Sequence, residues 1–347
     1  MAVPTSSPDP AATPKKTPIY EASSQYNNWR FSPERLEVLR RTMNEAAVTA
    51  IRRTLETHEP GSSSDVSFLT ADEEHILVKH YITKITPLCG LFSFPEELAA
   101  TAVSYMKRFY LKNTVMDWHP KNVMLTTLFL ATKTTNNPIS IEKYTQRIRG
   151  TNPSDVLDIE FLVCQSLGFE FAVWHAHRAL WGIWLDFQDL PNMPADWAST
   201  RKSQYEEALE HVRASRLSDV ELIYSPSQIA LAAMSLVFPA ESDTWLSTKY
   251  PAESLHAIQT VVETIKTIMT QACKAPEVET VRNVDRRLRT CKNPEKVVGS
   301  KAYLARQAED ERKDAEKRAR KAENVTQDDD PFGSEMKDTP MDDDDDD

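Results

Sequence analysis

Residues 104–133 read SYMKRFYLKNTVMDWHPKNVMLTTLFLATK, and this pattern decides the fold class. It holds two helical stretches joined by a short polar break. The first starts near Pro95 and ends near Lys112-Asn113, with Leu98, Ala102, Tyr105, Met106 and Phe109 recurring at steps of three and four. Asn113-Thr114 lies in the break. His119-Pro120 restarts the chain, with Pro120 suited to a first helical turn, where its missing N–H would go unpaired anyway. The second stretch is apolar almost all round: Val123, Met124, Leu125, Leu128, Phe129, Leu130, Ala131. A helix without a polar face is buried on every side. The pattern therefore predicts the central helix of a bundle, ending in a single lysine, Lys133.

Working outward, Thr70-Ala71-Asp72-Glu73 is a capping box. It opens a helix, and five helices are expected over about 70–86, 95–112, 120–134, 140–149 and 153–168. Ser140 caps the fourth; Asn152-Pro153 starts the fifth and Gly168 ends it. A second unit of similar size follows, over about 174–188, 195–216, 226–237, a short helix near 243–249, and 252–273. Ser225-Pro226 opens its third helix as His119-Pro120 opens that of the first unit. QIALAAMSLVF, residues 228–238, is again apolar nearly all round, which points to an internal duplication with almost no residue identity.

The flanks read differently. Residues 1–27 are rich in Pro, Ser, Thr and Ala and read as a disordered tail. Thr13-Pro14 and Thr17-Pro18 are candidates for proline-directed phosphorylation, with Lys15-Lys16 beside them. Ser32-Pro33-Glu34 starts a helix that runs to about Thr57, and Trp29 and Phe31 look like an anchor before it. A further helix follows Pro276, with Val278, Val281, Val284 or Asp285, and Leu288 on one side and Arg282, Arg286, Arg287 and Arg289 on the other. Residues 300–323 read as either a solvated helix or disorder, and the acidic end as disorder. The expected division is a tail over 1–27, an N-terminal helix and loop over 28–66, repeats over 67–171 and 172–274, a helix over 275–299 and a largely disordered tail over 300–347.

Composition bounds the function. Glycine is scarce at 7 residues of 347 and strand-type alternation is hard to find, so the class is all-α. Residues 323–347 carry 12 acidic side chains against one lysine; the other 322 residues hold 40 acids and 40 bases. A neutral body argues against a broad DNA-binding surface, so no direct nucleic-acid contact is expected. No apolar run of 18 residues occurs, so no membrane span is expected. Cys89, Cys164, Cys273 and Cys291 lack zinc spacing and read as reduced thiols. The glycines are too dispersed for a phosphate-cradling loop, and no GxSxG, HExxH, HRD or DFG occurs. His175 and His177, two apart on a helix, are expected to diverge and serve at the surface or as caps. These readings predict no enzymatic activity, no metal and no cofactor. Lys317-Arg318-Ala319-Arg320-Lys321 reads as a nuclear-import signal or as part of a charged helix.

KRFYLKNTVMDWHPKNVMLTTLFLATK, residues 107–133, resembles the cyclin box of the cyclin family. The resemblance is to the branch that regulates the cyclin-dependent-kinase-activating kinase of transcription factor TFIIH. WRFS at 29–32 and the helix after it resemble that branch's N-terminal extension, and YSPSQIAL at 224–231 its second repeat. The likeness covers about residues 26–292. It implies two tandem five-helix cyclin folds, flanked by an N-terminal and a C-terminal helix with disordered tails. It also implies a nuclear regulatory subunit that binds and activates a cyclin-dependent kinase, with a RING-finger assembly factor and the TFIIH core as further partners. The kinase would act on kinase activation loops and on the repeat tail of RNA polymerase II. Another transcriptional cyclin, or a nucleic-acid-binding cyclin fold like that of TFIIB, is the alternative.

The resemblance also assigns a site. In the family a Lys and a Glu matching Lys133 and Glu160 pair with each other at the kinase interface and hydrogen-bond the kinase backbone. Leu130, Cys164 and Phe169 match the apolar positions around that pair. A lysine supplies donors and a carboxylate acceptors for the unpaired backbone of a partner. The bland alternative is a surface salt bridge, worth ~0–1 kcal/mol. Two departures stand out: Lys107 replaces the Asp of most cell-cycle cyclins, and Thr134-Thr135-Asn136-Asn137 replaces common acids. The helix opening at Thr70 reads HILVKHYI, without the family's hydrophobic patch for substrate motifs.

Overall fold

The computed structural model describes residues 17–191 and 193–325, and among these every regular element is helical. They divide into two compact units. One joins the chain up to Thr49 with Val66–Cys291; the other joins Ala50–Asp65 with the chain from Lys292 onward.

The first unit opens with α1 (Ser24–Asn28) and most of α2 (Pro33–His58). Its first bundle comprises α3 (Ala71–Phe92), α4 (Glu96–Phe109), α5 (Pro120–Thr134), α6 (Ile141–Gln146), α7 (Pro153–Leu157) and α8 (Glu160–Ser166). The axis is α5, with Val123 to Thr132 buried throughout. Its buried threonines satisfy their own hydroxyls: Thr126 donates to the Val156 carbonyl at 2.9 Å and Thr132 to that of Phe129 at 2.7 Å. Tyr144 is wedged between Phe92 and Phe129 and donates to the Leu125 carbonyl at 2.9 Å. His119 caps α5: its Nδ1 accepts from the Lys121 amide, which leaves Nε2 to meet Asp285 at 3.2 Å.

The second bundle comprises α9 (Ala176–Gln188), α10 (Trp197–Thr200), α11 (Lys202–Ser215), α12 (Val220–Ile223), α13 (Pro226–Val237), α14 (Pro239–Lys249) and α15 (Ala252–Gln271). Its axis is α13, buried from Ile229 to Met234. Trp184, Phe187, Trp197 and Phe238 fill the space beside it as interlocked rings, with Trp184 and Trp197 4.6 Å apart. Then α16 (Val278–Cys291) packs on α3 through Val281, Val284 and Leu288. In the second unit Glu295 accepts from Thr54 at 3.2 Å and pairs with Arg306 of α17 (Lys301–Val325) at 2.6 Å.

The repeats and the N-terminal segment are joined by both apolar and polar groups. Trp29, Leu36, Leu111 and Leu222 form a small apolar cluster. Arg40 of α2 grips Asp219 with two hydrogen bonds of 2.7 Å. Burial alone would raise the Asp219 carboxyl, but the hydrogen bonds and charge of Arg40 hold it well below the usual carboxylate range.

The structure departs from the sequence expectations at several points. The stretch 17–27, expected as disordered tail, contains most of α1, and Tyr20 packs edge-on against Tyr26 and Trp174. Helix α3 continues through Pro87 to Phe92, because Ile85 and Cys89 are core residues and hold the turn despite the missing N–H. The expected fifth helix breaks at Asp158–Ile159 into α7 and α8, and the expected 195–216 helix breaks at Arg201 into α10 and α11. Helix α14 begins at Pro239. Arg287, expected on the outer side of α16, pairs with Glu73 and donates to the Phe68 carbonyl. Residues 301–325 are helical, while Thr13 and the acidic end lie outside the described residues.

Arg40→Ala leaves Asp219 charged and without its cation, each side chain being only 22% exposed. It is expected to lower the unfolding free energy by about 3 kcal/mol, the low end for a broken buried pair, as a shift in urea midpoint. The second expectation concerns pH. Burial pushes His75 down to about 4, with the charge of Arg40 adding to it. The folded state therefore resists a proton that the unfolded chain accepts near 6.5, so this stability is present above that pH and is lost as pH falls towards 4. Between pH 7 and 5 the loss is on the order of 2 kcal/mol. Urea titrations of wild type and His75→Leu at pH 7, 6 and 5 are expected to show a smaller loss in the variant.

Candidate functional site

The last turn of α5 and the first turn of α8 meet at the surface of the first bundle. Lys133 donates to Glu160 Oε1 at 2.6 Å and its ammonium sits 4.6 Å from the centre of the Phe129 ring. The Lys133 side chain is 46% exposed and that of Glu160 19%. Both suit their positions: a cation at a helix C-terminus and a carboxylate at an N-terminus complement the backbone dipole. The chain after Lys133 closes α5 by itself. The Asn137 amide donates to the Thr132 carbonyl at 2.8 Å, the Asn137 side chain to that of Thr135, and Asn136 takes a left-handed conformation. Thr134 accepts from Tyr105 at 3.0 Å. The residues that replace the family's acids thus act as the helix cap.

Large apolar side chains are exposed on and next to α8, beside Glu160 in the chain. Phe161 is 65% exposed and Phe169 55%, with ring centres 6.2 Å apart; Leu157 is exposed on the same short segment. Phe169 has φ of 59°, directly after Gly168 at 63°, where α8 ends with the Phe169 amide donating to the Cys164 carbonyl. A non-glycine residue in the left-handed region costs about 1 kcal/mol, and here that backbone turns an aromatic ring outward. Cys164 is half-buried; burial raises its thiol pKa, and the Glu160 charge adds to the effect.

Of the five residues the sequence singled out, Lys133, Glu160, Cys164 and Phe169 lie on this one region. Leu130 does not share its surface: at 4% exposure it belongs to the core beneath. Phe161 escaped sequence reading, although it directly follows Glu160 and falls off the core positions Val156, Ile159, Val163 and Leu167. The histidine pair also differs from expectation. His175 is buried, bonded to Thr101 at 3.0 Å, and its ring stacks on His177 at 5.2 Å instead of diverging. Burial drives the His175 pKa well below the ordinary value. Among the described residues no cluster of three His, Cys, Asp or Glu side chains could hold a metal.

The cyclin N-terminal domain family matches residues 51–172, and the cyclin C-terminal domain family matches 175–271. The chain belongs to the cyclin family. Cyclin mcs2 of Schizosaccharomyces pombe is 32% identical over 310 residues, 87% of this cyclin and 94% of mcs2. Cyclin-H of Xenopus laevis is 32% identical over 62% of this cyclin and 67% of its own length. Two solved structures agree with the fold. A chain of the CAK complex of Chaetomium thermophilum bound to ATP-γ-S superposes with a TM-score of 0.73 at 27% identity, over 84% of this cyclin and 94% of that chain. A chain of the yeast TFIIK complex (Kin28/Ccl1/Tfb3) gives 0.61 at 29%, over 72% and 100%. The similarity of this cyclin is to the cyclin H branch.

In the free cyclin the exposed Lys133–Glu160 pair is a weak contributor to stability. Lys133→Ala and Glu160→Ala are each expected to change the unfolding free energy by only ~0–1 kcal/mol, read as a nearly unchanged urea midpoint.

Proposed function

We propose that this cyclin is the regulatory subunit of a cyclin-dependent kinase of the kinase-activating type, and that Lys133, Glu160, Cys164, Phe161 and Phe169 form its kinase-docking face. The observation that carries this reading is the Lys133–Glu160 pair together with the exposed rings of Phe161 and Phe169, on α8 and just after it. A polar pair within an apolar patch has the anatomy of a partner site, with rings for burial and hydrogen-bonding groups for orientation. Leu130 supports the face from below by fixing the end of α5.

The mechanism is conformational. The catalytic centre belongs to the kinase, whose regulatory helix carries a Glu that must pair with the ATP-binding Lys. A partner that docks beside that helix and binds the paired arrangement better than the unpaired one shifts the population towards activity. Lys133 and Glu160 offer donors and acceptors to the kinase backbone at that contact. The cyclin itself performs no chemistry in this reading. Its further partners are a RING-finger assembly factor and the TFIIH core, its substrates through the kinase are activation loops and the RNA polymerase II repeat tail, and its place is the nucleus. The working units of this reading are the repeats over 67–171 and 172–274.

Lys133→Ala and Glu160→Ala are expected to weaken kinase binding by ~2–5 kcal/mol, because each leaves the other charge unpaired in a closed interface. Binding to the purified kinase and phosphorylation of a repeat-tail peptide should fall together, at least about tenfold. Wild-type affinity in both variants would place the interface elsewhere on the bundle. No binding by the wild type, with the assembly factor added, would overturn the kinase reading.

A further inference from the structure

Phe169 combines an exposed ring, 55% accessible, with a left-handed backbone at φ of 59°. That backbone disfavours a side chain other than glycine by about fivefold or more, so it persists only where the surroundings over-determine it. Two sets of bonds do so. On the α8 side the Phe169 amide donates to the Cys164 carbonyl at 3.0 Å, and the Glu170 amide to that of Leu167 at 3.2 Å. On the other side, two buried residues of α4 hold the next two carbonyls of the chain. Arg108 donates to Glu170 at 3.2 Å and Tyr105 to Phe171 at 2.7 Å. Aromatic rings repeat the connection. Tyr105 lies edge-on to Phe171 with centres 6.1 Å apart, Phe171 edge-on to Phe169 at 6.2 Å, and Phe169 beside Phe161 at 6.2 Å. The Tyr105 hydroxyl also lies 3.0 Å from that of Thr134, the residue after Lys133. One buried phenol therefore meets both the helix end that carries Lys133 and the linker that follows Phe169.

On the reading of this surface as the kinase-docking face, we propose that Tyr105 is a positioning residue for kinase binding, acting through Phe171 to hold the Phe169 ring outward. At 0% exposure Tyr105 is out of reach of any partner, so its effect on binding is carried by the residues it holds. Removing the hydroxyl takes a donor from the Phe171 carbonyl. The linker is then free to settle into the commoner right-handed backbone at Phe169. The face is in its docking arrangement for only a fraction of the time, and the affinity falls by that fraction.

The test compares the full-length wild type with Tyr105→Phe, which keeps the ring and removes the hydroxyl. Tyr110→Phe is the matched control: the Tyr110 hydroxyl, at the end of the same helix, donates to the Trp118 carbonyl between α4 and α5 at the same 2.7 Å. Affinity for the purified kinase is expected to fall roughly fivefold or more in Tyr105→Phe and to stay within about twofold of wild type in Tyr110→Phe. Both variants should lose a similar amount of urea midpoint, each having lost one hydrogen bond to a carbonyl. A merely structural role would not give the next result. Tyr105→Phe combined with Phe169→Ala is expected to bind no more weakly than Phe169→Ala alone, because the ring that Tyr105 positions is already gone. In the free cyclin, 4-fluorophenylalanine at position 169 supplies a ¹⁹F resonance. It is expected to shift or broaden in Tyr105→Phe and to stay in place in Tyr110→Phe. Phe171→Leu keeps the carbonyl and removes the intermediate ring; it is expected to give the same two changes, and it serves if Tyr105→Phe does not fold. Losses that multiply in the double variant, or a fluorine resonance unmoved by both Tyr105→Phe and Phe171→Leu, would each overturn the proposal. A wild type that binds no kinase would overturn the docking face, and a shifted fluorine resonance would then leave Tyr105 as a support of Phe169 without a role in binding.

Discussion

Two cations that α4 buries hold the cyclin repeats in register. Lys107 and Arg108 are 6% and 2% exposed at the end of a helix whose every residue from Leu98 onward is buried. Burying a charge costs several kcal/mol unless its hydrogen bonds are met. Lys107 meets them on the second repeat, donating to the Ser218 carbonyl at 2.6 Å and pairing with Glu221 at 2.9 Å. Arg108 meets them on the linker and the N-terminal segment, donating to the Glu170 carbonyl at 3.2 Å beneath the Trp29 ring. The Glu170 carboxylate in turn accepts from the side chains of Asn28 and Trp29. Neither cation can leave its partners without standing uncompensated in the interior, so the junction has few alternatives. The departure from the cell-cycle pattern at Lys107 thus has a structural role: an Asp there could not donate to a carbonyl or pair with Glu221.

That junction also sets the candidate site. Tyr105, one turn ahead of Arg108, accepts no freedom of its own: its hydroxyl lies 2.7 Å from the Phe171 carbonyl and 3.0 Å from Thr134. It therefore ties the linker to the end of α5. The same few residues fix where α5 stops, where Lys133 emerges and how the linker carrying Phe169 and Phe171 leaves α8. The linker has no helical structure from Phe171 to His175, where α9 begins.

Much of this architecture was legible because proline and all-round apolarity are local signals. The helices α5 and α13 each begin with Pro in the first turn and show no polar face, and both were placed within a residue or so. The breaks were not legible. Val156, Ile159, Val163 and Leu167 keep helical spacing across the interruption at Asp158–Ile159, because α7 and α8 feed the same core and the pattern records burial, not continuity. The extension of α3 past Pro87 was hidden for the opposite reason: a local breaker was outweighed by core contacts distant in sequence. The buried cations were invisible in principle, since the partners of Lys107 lie 111 or more residues away.

At the site, residue type and spacing alone left Lys133 and Glu160 as a surface pair, and only the family resemblance gave them a partner. The structure adds the physical reason such a pair is useful. A long, flexible lysine normally loses rotamer freedom when a partner immobilises it, which subtracts from affinity. Here Lys133 is already held by the Phe129 ring and the Glu160 carboxylate, on a helix end closed by Asn136 and Asn137. Much of the ordering cost is met before any partner arrives. The pair contributes little to the stability of the free cyclin because water still reaches it, and a docking surface would remove that water. In the proposed docking the same 2.6 Å contact would be both a minor feature of the fold and a prearranged element of the interface, so its removal is expected to weaken binding far more than stability.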